Sequence, residues 1–304
     1  MKKVLVSGAT GFIGRQCLPL LLSKGYQVHA VVSKKIIQTA SGLSWHQANL
    51  LDFRQIHPLI AQVQPTHWLH LAWNAMPGKY WTSPENFRWV QASLELLQAF
   101  AQNGGQRVVM AGTCAEYDWQ YGYCSEQITP LSPNTVYGTC KHSLQSMLAA
   151  FARQTGLSYA WGRIFFVYGP FEHPQRLVPT VIRCLLEAEP ARCSHGNQIR
   201  DFLYVTDVAD ALVSLLDSQV LGAVNIASGF PVTLKDIIYQ IASQINRPDL
   251  IELGAIPAAA NEPPLLVADV RRLTEEVGWQ PKVTIEAGLE QTITWWQKEL
   301  MNKW

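Results

Sequence analysis

Short apolar runs alternate with longer helical patterns through the first half of the chain. Buried strands are predicted for the runs at 3–7, 27–32, 66–72, 107–111 and 159–164. Helices are predicted between them at 13–23, 55–63, 86–103 and 137–155. Strands joined by helix-length crossovers form a parallel sheet with helices on both faces. The sequence therefore predicts an α/β fold with a doubly wound parallel sheet, and Pro19 predicts a kink or register shift in the first helix.

The pattern changes after Gly169-Pro170, where segments become shorter and prolines more frequent. Helices are predicted here at 207–217 and 234–245, with one more strand at 223–226. We expect a first domain at 1–168, to which about 198–228 returns. A smaller α/β domain is expected from 169–197 and 229–304.

Composition argues against several classes of protein. A net charge of +1 provides no field for gripping a nucleic-acid backbone. No apolar segment approaches the roughly 18 residues of a membrane span, and the apolar stretch after Met1 is too short for a secretory signal. The six cysteines lack metal-site or paired spacing, which is typical of reduced thiols in a cytoplasmic protein without a bound metal.

A glycine-rich turn follows the first predicted strand, reading Gly8-Ala9-Thr10-Gly11-Phe12-Ile13-Gly14. Glycines at this spacing permit a tight turn and close approach of the backbone to a pyrophosphate at a helix N-terminus. An NAD site usually has an acidic residue after the second strand, but this chain has Ser33-Lys34-Lys35. Ser33 and the lysines favour the 2′-phosphate of NADP(H), with NAD(H) as the alternative.

Three residues suggest proton transfer. Tyr137 and Lys141 are four residues apart on one helix face, where the ammonium is expected to lower the pKa of the phenol. Thr113 follows a predicted strand, so its hydroxyl is expected at the carboxyl edge of the sheet, where ligands of open α/β folds bind. Together they predict acid–base chemistry on a carbonyl or hydroxyl oxygen.

These motifs, with the run Arg200-Asp201-Phe202-x-Tyr204-Val205-x-Asp207-Val208, resemble an extended short-chain dehydrogenase/reductase. More narrowly, the chain resembles the NAD-dependent epimerase/dehydratase family, which acts on nucleotide sugars. The resemblance implies a Rossmann domain, a smaller substrate domain and a homodimer formed through helices 86–103 and 137–155. It also implies that Tyr137 is the acid/base, that Lys141 binds the nicotinamide ribose and that Thr113 orients the substrate.

The resemblance and the residue types together give the remaining site predictions. Cofactor contacts are expected, besides Tyr137 and Lys141, from Gly8, Thr10, Gly11, Phe12, Ile13, Gly14, Ser33, Lys34, Asn49, Leu50, Leu71 and Ala72. Contacts with a nucleotide-diphosphate sugar are expected from Trp73, Trp81, Thr113, Phe166, Leu177, Val178, Gln198, Arg200 and Arg271. Arg200 matches the family's diphosphate clamp, and Trp73 and Trp81 offer aromatic faces for stacking.

Departures from the family pattern bear on the reaction. Cys114 and Ala115 follow Thr113 where family dehydratases have an acid pair, and Glu116 comes one place too late, which argues against 4,6-dehydration. Phe166 stands where many members have an asparagine. We therefore expect a nucleotide-sugar 4-ketoreductase using NADPH. The alternatives are a C4 epimerase with tightly held NAD and, more remotely, a non-catalytic NADP(H) sensor.

Overall fold

A computed structural model describes residues 2–34, 41–258 and 262–302. The strands in these residues are β1 (Lys3–Ser7), β2 (Gln27–Val32), β3 (Leu43–Gln47), β4 (His67–His70), β5 (Arg107–Thr113), β6 (Tyr123–Cys124), β7 (Ser158–Ile164), β8 (Phe166–Tyr168), β9 (Ala191–Cys193), β10 (Ile199–Tyr204), β11 (Gly222–Ile226), β12 (Pro231–Thr233), β13 (Ile251–Leu253) and β14 (Leu265–Ala268). The α-helices in these residues are α1 (Gly14–Ser23), α2 (Ile56–Val63), α3 (Glu85–Gln102), α4 (Val136–Thr155), α5 (Leu177–Leu186), α6 (Val205–Asp217), α7 (Leu234–Ile245) and α8 (Ile285–Met301). Every strand and helix predicted from the sequence is present, with ends that differ by at most two residues.

Seven strands form a wholly parallel sheet in the order β11-β7-β5-β4-β1-β2-β3. The chain leaves β1 toward β2 and β3 on one side, and then crosses back to β4 on the other. Loops that leave β1 and β4 in opposite directions open a crevice at their carboxyl ends, where open α/β sheets bind ligands. The predicted doubly wound parallel sheet is confirmed.

Both faces of this sheet are buried. Val4 and Val6 of β1 pack in one apolar cluster with α1 and α6, whereas Leu5 packs in a second cluster with α2, α3 and α4. Successive side chains of a strand point to opposite faces, so a central parallel strand needs apolar residues at every position. This requirement explains why these strands read as continuous apolar runs in the sequence.

A second sheet is built from shorter strands. β10 pairs in parallel with β8 and β14 and antiparallel with β12, and β14 pairs with β6. Helices α5, α7 and α8 contribute to a separate apolar core beside this sheet. The segment expected to return to the first domain is divided, because β10 lies in the second sheet whereas β11 lies in the first. The division into two domains remains a prediction.

Helix α1 runs from Gly14 to Ser23 without interruption at Pro19. Proline has no N–H to donate to the carbonyl of Arg15, so the helix loses one backbone hydrogen bond there. The Pro19 side chain lies on the exposed face of α1. The kink or register shift predicted at Pro19 therefore does not interrupt the helix.

Among the described residues, no helix has the length and apolar character needed to cross a bilayer.

A buried arginine closes the end of α6 against the first sheet. Arg107 donates from Nε to the Leu216 carbonyl (2.9 Å) and from Nη2 to the carbonyls of Leu215 and Val220 (both 2.8 Å). We expect Arg107→Met to lower the free energy of unfolding by at least about 2 kcal/mol, because each buried acceptor left unsatisfied costs roughly 1–3 kcal/mol. Urea unfolding measures this change. Arg153→Met, at an exposed position, is the matched control, and an equal loss in both variants would contradict the interpretation.

Candidate active site

The glycine-rich turn connects β1 to α1 and touches the loop after β4. Gly8 has a φ of +80°, and a Cβ there would lie 2.7 Å from the Ala72 nitrogen and from the Leu71 carbonyl carbon. A Cβ at Gly14 would lie 2.1 Å from the Gly8 oxygen, while Gly11 donates its N–H to the same oxygen at 3.0 Å. The turn therefore depends on glycine and holds its predicted cofactor residues close together. This backbone cradle at a helix N-terminus fits a dinucleotide pyrophosphate.

Other predicted cofactor residues lie along the same sheet edge. Ser33 and Lys34 follow β2 and are exposed, while Lys35 lies outside the described residues. Asn49 follows β3, where its Oδ1 accepts the N–H of Leu51 at 3.1 Å, and Leu50 is buried. Within the glycine turn, Thr10 is exposed and Phe12 and Ile13 are partly buried. Their contacts with a cofactor remain predictions.

The proton-transfer residues are brought together at the carboxyl end of β5. Thr113 is the last residue of β5, and Tyr137 and Lys141 lie one turn apart in α4. Burial and the nearby Tyr80 raise the pKa of Tyr137 above its usual value, while the Thr113 side chain acts in the opposite direction with a smaller effect. The prediction that the phenol is acidified is therefore wrong for this arrangement, because desolvation disfavours the phenolate.

Lys141 is only 4% exposed. Its Nζ donates to the Ala111 carbonyl at 2.8 Å and lies 3.8 Å from the centroid of the Trp73 ring. Burial lowers the pKa of Lys141 to about 7, with the charge of Glu116 acting in the opposite direction. The ammonium thus titrates in the physiological range.

Three aromatic side chains from the loop between β4 and α3 surround the ring of Tyr137. The centroid of the Tyr137 ring is 4.8 Å from that of Tyr80, 5.8 Å from that of Trp81 and 6.3 Å from that of Trp73, with interplanar angles of 88°, 87° and 75°. These are edge-to-face contacts. We call Trp73, Tyr80 and Trp81 the aromatic enclosure. Tyr80 was not predicted as a site residue, although it lies nearest the phenol ring.

Glu116 is fully buried beside this centre. Its Oε1 accepts the Thr113 backbone N–H (2.8 Å) and its Oε2 accepts Arg163 Nε (2.8 Å). Trp161 donates its indole N–H to the same carboxylate at 2.9 Å. The carboxylate is therefore bound in a buried ion pair and fixes the backbone of Thr113.

A second group of predicted residues lies on β8 and beside or within β10. Arg200 is 2% exposed and donates to Glu262 Oε1 at 2.8 Å, while Gln198 donates to Oε2 of the same carboxylate at 2.8 Å. The Arg200 guanidinium lies 5.4 Å from the centroid of the Phe166 ring. Gln198, Arg200 and Phe166 are thus adjacent, and Glu262 joins them although the sequence analysis did not identify it.

Three predicted substrate residues are already engaged elsewhere. The Val178 side chain is 2% exposed in the core of the second sheet, and Leu177 packs against the same core. Arg271 donates from Nε (3.0 Å) and Nη2 (2.5 Å) to the carboxylate of Asp269. The expected contact of Arg271 with substrate remains a prediction.

The buried ammonium of Lys141 gives stability a defined pH dependence. The pKa of Lys141 falls from 10.5 to about 7 on folding, so between these values the unfolded chain holds a proton that the folded chain does not, and stability rises with pH. Below this window the folded protein bears the full penalty of burying the charge. We expect Lys141→Met to be more stable than wild type at pH 6, and this gain to fade toward pH 10 in urea unfolding. Lys298→Met, at an exposed position, is the control, and a pH-independent gain would contradict the assignment.

Comparisons with known proteins identify the family to which the chain belongs. The model of the NAD dependent epimerase/dehydratase family matches residues 4–227. UDP-glucuronic acid decarboxylase 1 of Danio rerio is 26% identical over 98% of this chain and 73% of its own length. UDP-glucuronate 4-epimerase of Thermodesulfobacterium geofontis is 25% identical over 96% of this chain and 95% of its own.

Solved structures with similar folds include two complexes with NAD. UDP-glucose 4-epimerase of Thermus thermophilus is 25% identical, with a TM-score of 0.85 over 97% of this chain and 99% of that one. MoeE5 in complex with UDP-glucose and NAD is 29% identical, with a TM-score of 0.83 over 98% and 99%. The resemblance drawn from the motifs is confirmed: the chain belongs to the NAD dependent epimerase/dehydratase family of enzymes.

Proposed function

We propose that this enzyme transfers hydride between a nicotinamide cofactor and a sugar carbon of a nucleotide-diphosphate sugar. The observation that carries the proposal is the meeting of Thr113, Tyr137 and Lys141 at the carboxyl edge of the sheet, next to the glycine turn. The relatives support the substrate class, because those reported above are named for UDP sugars or sugar acids or were solved with one.

When bound at the glycine turn, a nicotinamide cofactor would supply the hydride that reduces a carbonyl carbon. Thr113 hydrogen-bonds the carbonyl oxygen and holds it beside Tyr137. Because burial raises the pKa of Tyr137, the phenol is protonated at neutral pH and donates its proton to that oxygen. The Lys141 ammonium binds the nicotinamide ribose and offsets negative charge as the proton leaves. Arg200 and Gln198 bind the diphosphate half of the substrate, where a planar guanidinium suits phosphate oxygens.

Among the reactions of the family, 4-ketoreduction with NADPH is the first choice. The segment after β2 offers Ser33 and Lys34, both exposed, in place of the acid that holds the ribose hydroxyls in NAD sites. A protonated Tyr137 can donate the proton that the carbonyl oxygen needs on reduction, so it suits the reductive direction. Glu116 is held by Arg163, so it is not free to serve as a base for dehydration.

A C4 epimerase that retains NAD is the second candidate. The curated relative from Thermodesulfobacterium geofontis is named a 4-epimerase, and the similar solved structures reported above contain NAD. An epimerase oxidises and re-reduces the same carbon, so it consumes no cofactor overall.

We propose further that two copies pair through α3 and α4, as the family resemblance implies. The two helices pack on each other. Phe87 of α3 and Met147 of α4 are large apolar side chains that are exposed, which supports pairing through these helices.

A cytoplasmic location is also a proposal, supported by six free cysteines.

Tyr137→Phe tests the assigned chemistry. Loss of the proton donor is expected to lower kcat by on the order of 10²–10⁴-fold, measured as NADPH oxidation in the presence of 4-keto nucleotide sugars. Cofactor affinity should change little, because the ring and its aromatic contacts remain. Tyr239→Phe, at an exposed position on α7, is the control. Full activity in Tyr137→Phe would refute the mechanism.

Cofactor identity separates the two candidate reactions. We expect the purified protein to lose its cofactor on dialysis and to bind NADPH more tightly than NADH, as determined by mass spectrometry and calorimetry. Lys34→Ala should weaken NADPH binding selectively, whereas Lys79→Ala, another exposed lysine, should not. NAD that survives dialysis would instead favour the epimerase.

A further inference from the structure

Asn86 lies in the first turn of α3, and its side chain turns back toward the loop that precedes the helix. Its Oδ1 accepts the indole N–H of Trp73 at 2.8 Å. Its Nδ2 donates to the carbonyls of Tyr80 (2.7 Å) and Ser83 (2.8 Å). Asn86 is 2% exposed. One buried amide therefore ties both ends of the aromatic enclosure to α3.

Two of these three bonds, those to Trp73 and Tyr80, lead to different catalytic side chains. Trp73, held through its indole N–H, presents its ring face to the Lys141 ammonium at 3.8 Å, and a cation over an indole face is stabilised. Tyr80, held through its carbonyl, presents its ring edge-to-face to Tyr137 at 4.8 Å. The two rings that Asn86 holds are therefore in contact with the Lys141 ammonium and with the Tyr137 ring.

Only an amide satisfies this arrangement with a side chain of this size. The position must accept one hydrogen bond from an indole and donate two to carbonyls, and asparagine does both. An aspartate has no proton to donate, and leucine neither accepts nor donates. The hydrogen bond from Asn86 to the Ser83 carbonyl is local, and by itself it would only close the turn at the start of α3. The bonds to Trp73 and Tyr80 reach beyond that turn.

We propose that Asn86 is a positioning residue of the catalytic centre, acting through Trp73 on the Lys141 ammonium and through Tyr80 on the Tyr137 ring. The inference rests on the proposed function for the roles of Lys141 and Tyr137. The contacts themselves involve only this chain, so they are testable without any substrate.

Nuclear magnetic resonance of the protein labelled with ¹³C at lysine Cε tests the link to Trp73. The indole face should shift the Lys141 ε-methylene protons upfield by its ring current, with the resonance assigned by its absence in Lys141→Arg. We expect Asn86→Ala to lose this upfield shift. Asn103→Ala should keep it, because Asn103 makes a comparable bond to the Ala99 carbonyl (2.9 Å) at the other end of α3.

A second variant covers the case in which Asn86→Ala does not fold. Trp73→Phe keeps an aromatic face but removes the N–H that Asn86 accepts. If the hydrogen bond positions the ring, Trp73→Phe should also lose most of the upfield shift. Retention of the shift in every Asn86 or Trp73 variant that folds would overturn the proposal.

Kinetics test the link to catalysis. Misplacement of a reacting group by about 1 Å lowers rates by up to on the order of 10²-fold, so Asn86→Ala should lower kcat by between about tenfold and a hundredfold. KM should rise by less than kcat falls, because Asn86 is buried and affects substrate binding only through Trp73, one of the expected substrate contacts. A fall in stability with kcat unchanged would indicate a purely structural role and refute the proposal.

The two readouts separate this proposal from the function on which it rests. If no nucleotide sugar is turned over by wild type, the proposed function fails, and the lysine resonance still decides whether Asn86 positions Lys141. If Tyr137→Phe abolishes turnover but Asn86→Ala changes neither resonance nor kcat, the positioning inference alone fails.

Discussion

The contact between two backbones at the crevice of the sheet underlies the rest of the site. Gly8 approaches Ala72 so closely that no side chain fits between them. The loop that begins there carries Trp73 and Tyr80 onward to α3, where Asn86 ties it down. The contact that shapes a phosphate cradle therefore also sets the starting point of the aromatic enclosure. The glycine turn and the rings around Tyr137 are thus connected through one short stretch of backbone.

Burial then determines the protonation states within this centre. Desolvation disfavours both the phenolate of Tyr137 and the ammonium of Lys141, so it raises one pKa and lowers the other. The sequence analysis considered only the attraction between the two groups, which acts in the opposite direction. Spacing along a helix predicts that side chains are neighbours, but it carries no information about how much water surrounds them.

The parts of the fold that the sequence predicted are those with a local periodic signal. The buried strands of the first sheet and the long helices belong to this group. β3 escaped prediction because its sequence Leu-Ser-Trp-His-Gln is half polar, as suits an edge strand with partly exposed side chains. The short strands of the second sheet were missed for another reason: two to six residues carry too little pattern to distinguish a strand from a loop.

The site shows the same difference between residues that have a local sequence signal and residues that have none. Thr113, Tyr137 and Lys141 follow from motifs with fixed spacing. In contrast, Glu262 contacts Arg200 from a distant part of the sequence, with a bond of 2.8 Å. Asn86 contacts Trp73 and Tyr80 within one loop whose path no motif in the sequence predicts. Glu116 shows that its contacts, rather than its position in the sequence, determine whether a carboxylate is free to react. Its position three residues after Thr113 suggests a carboxylate available for elimination chemistry, yet Arg163 and Trp161 bind that carboxylate. Cys114 and Ala115 take the two positions between, so none of the three residues after Thr113 offers a free carboxylate for removing water.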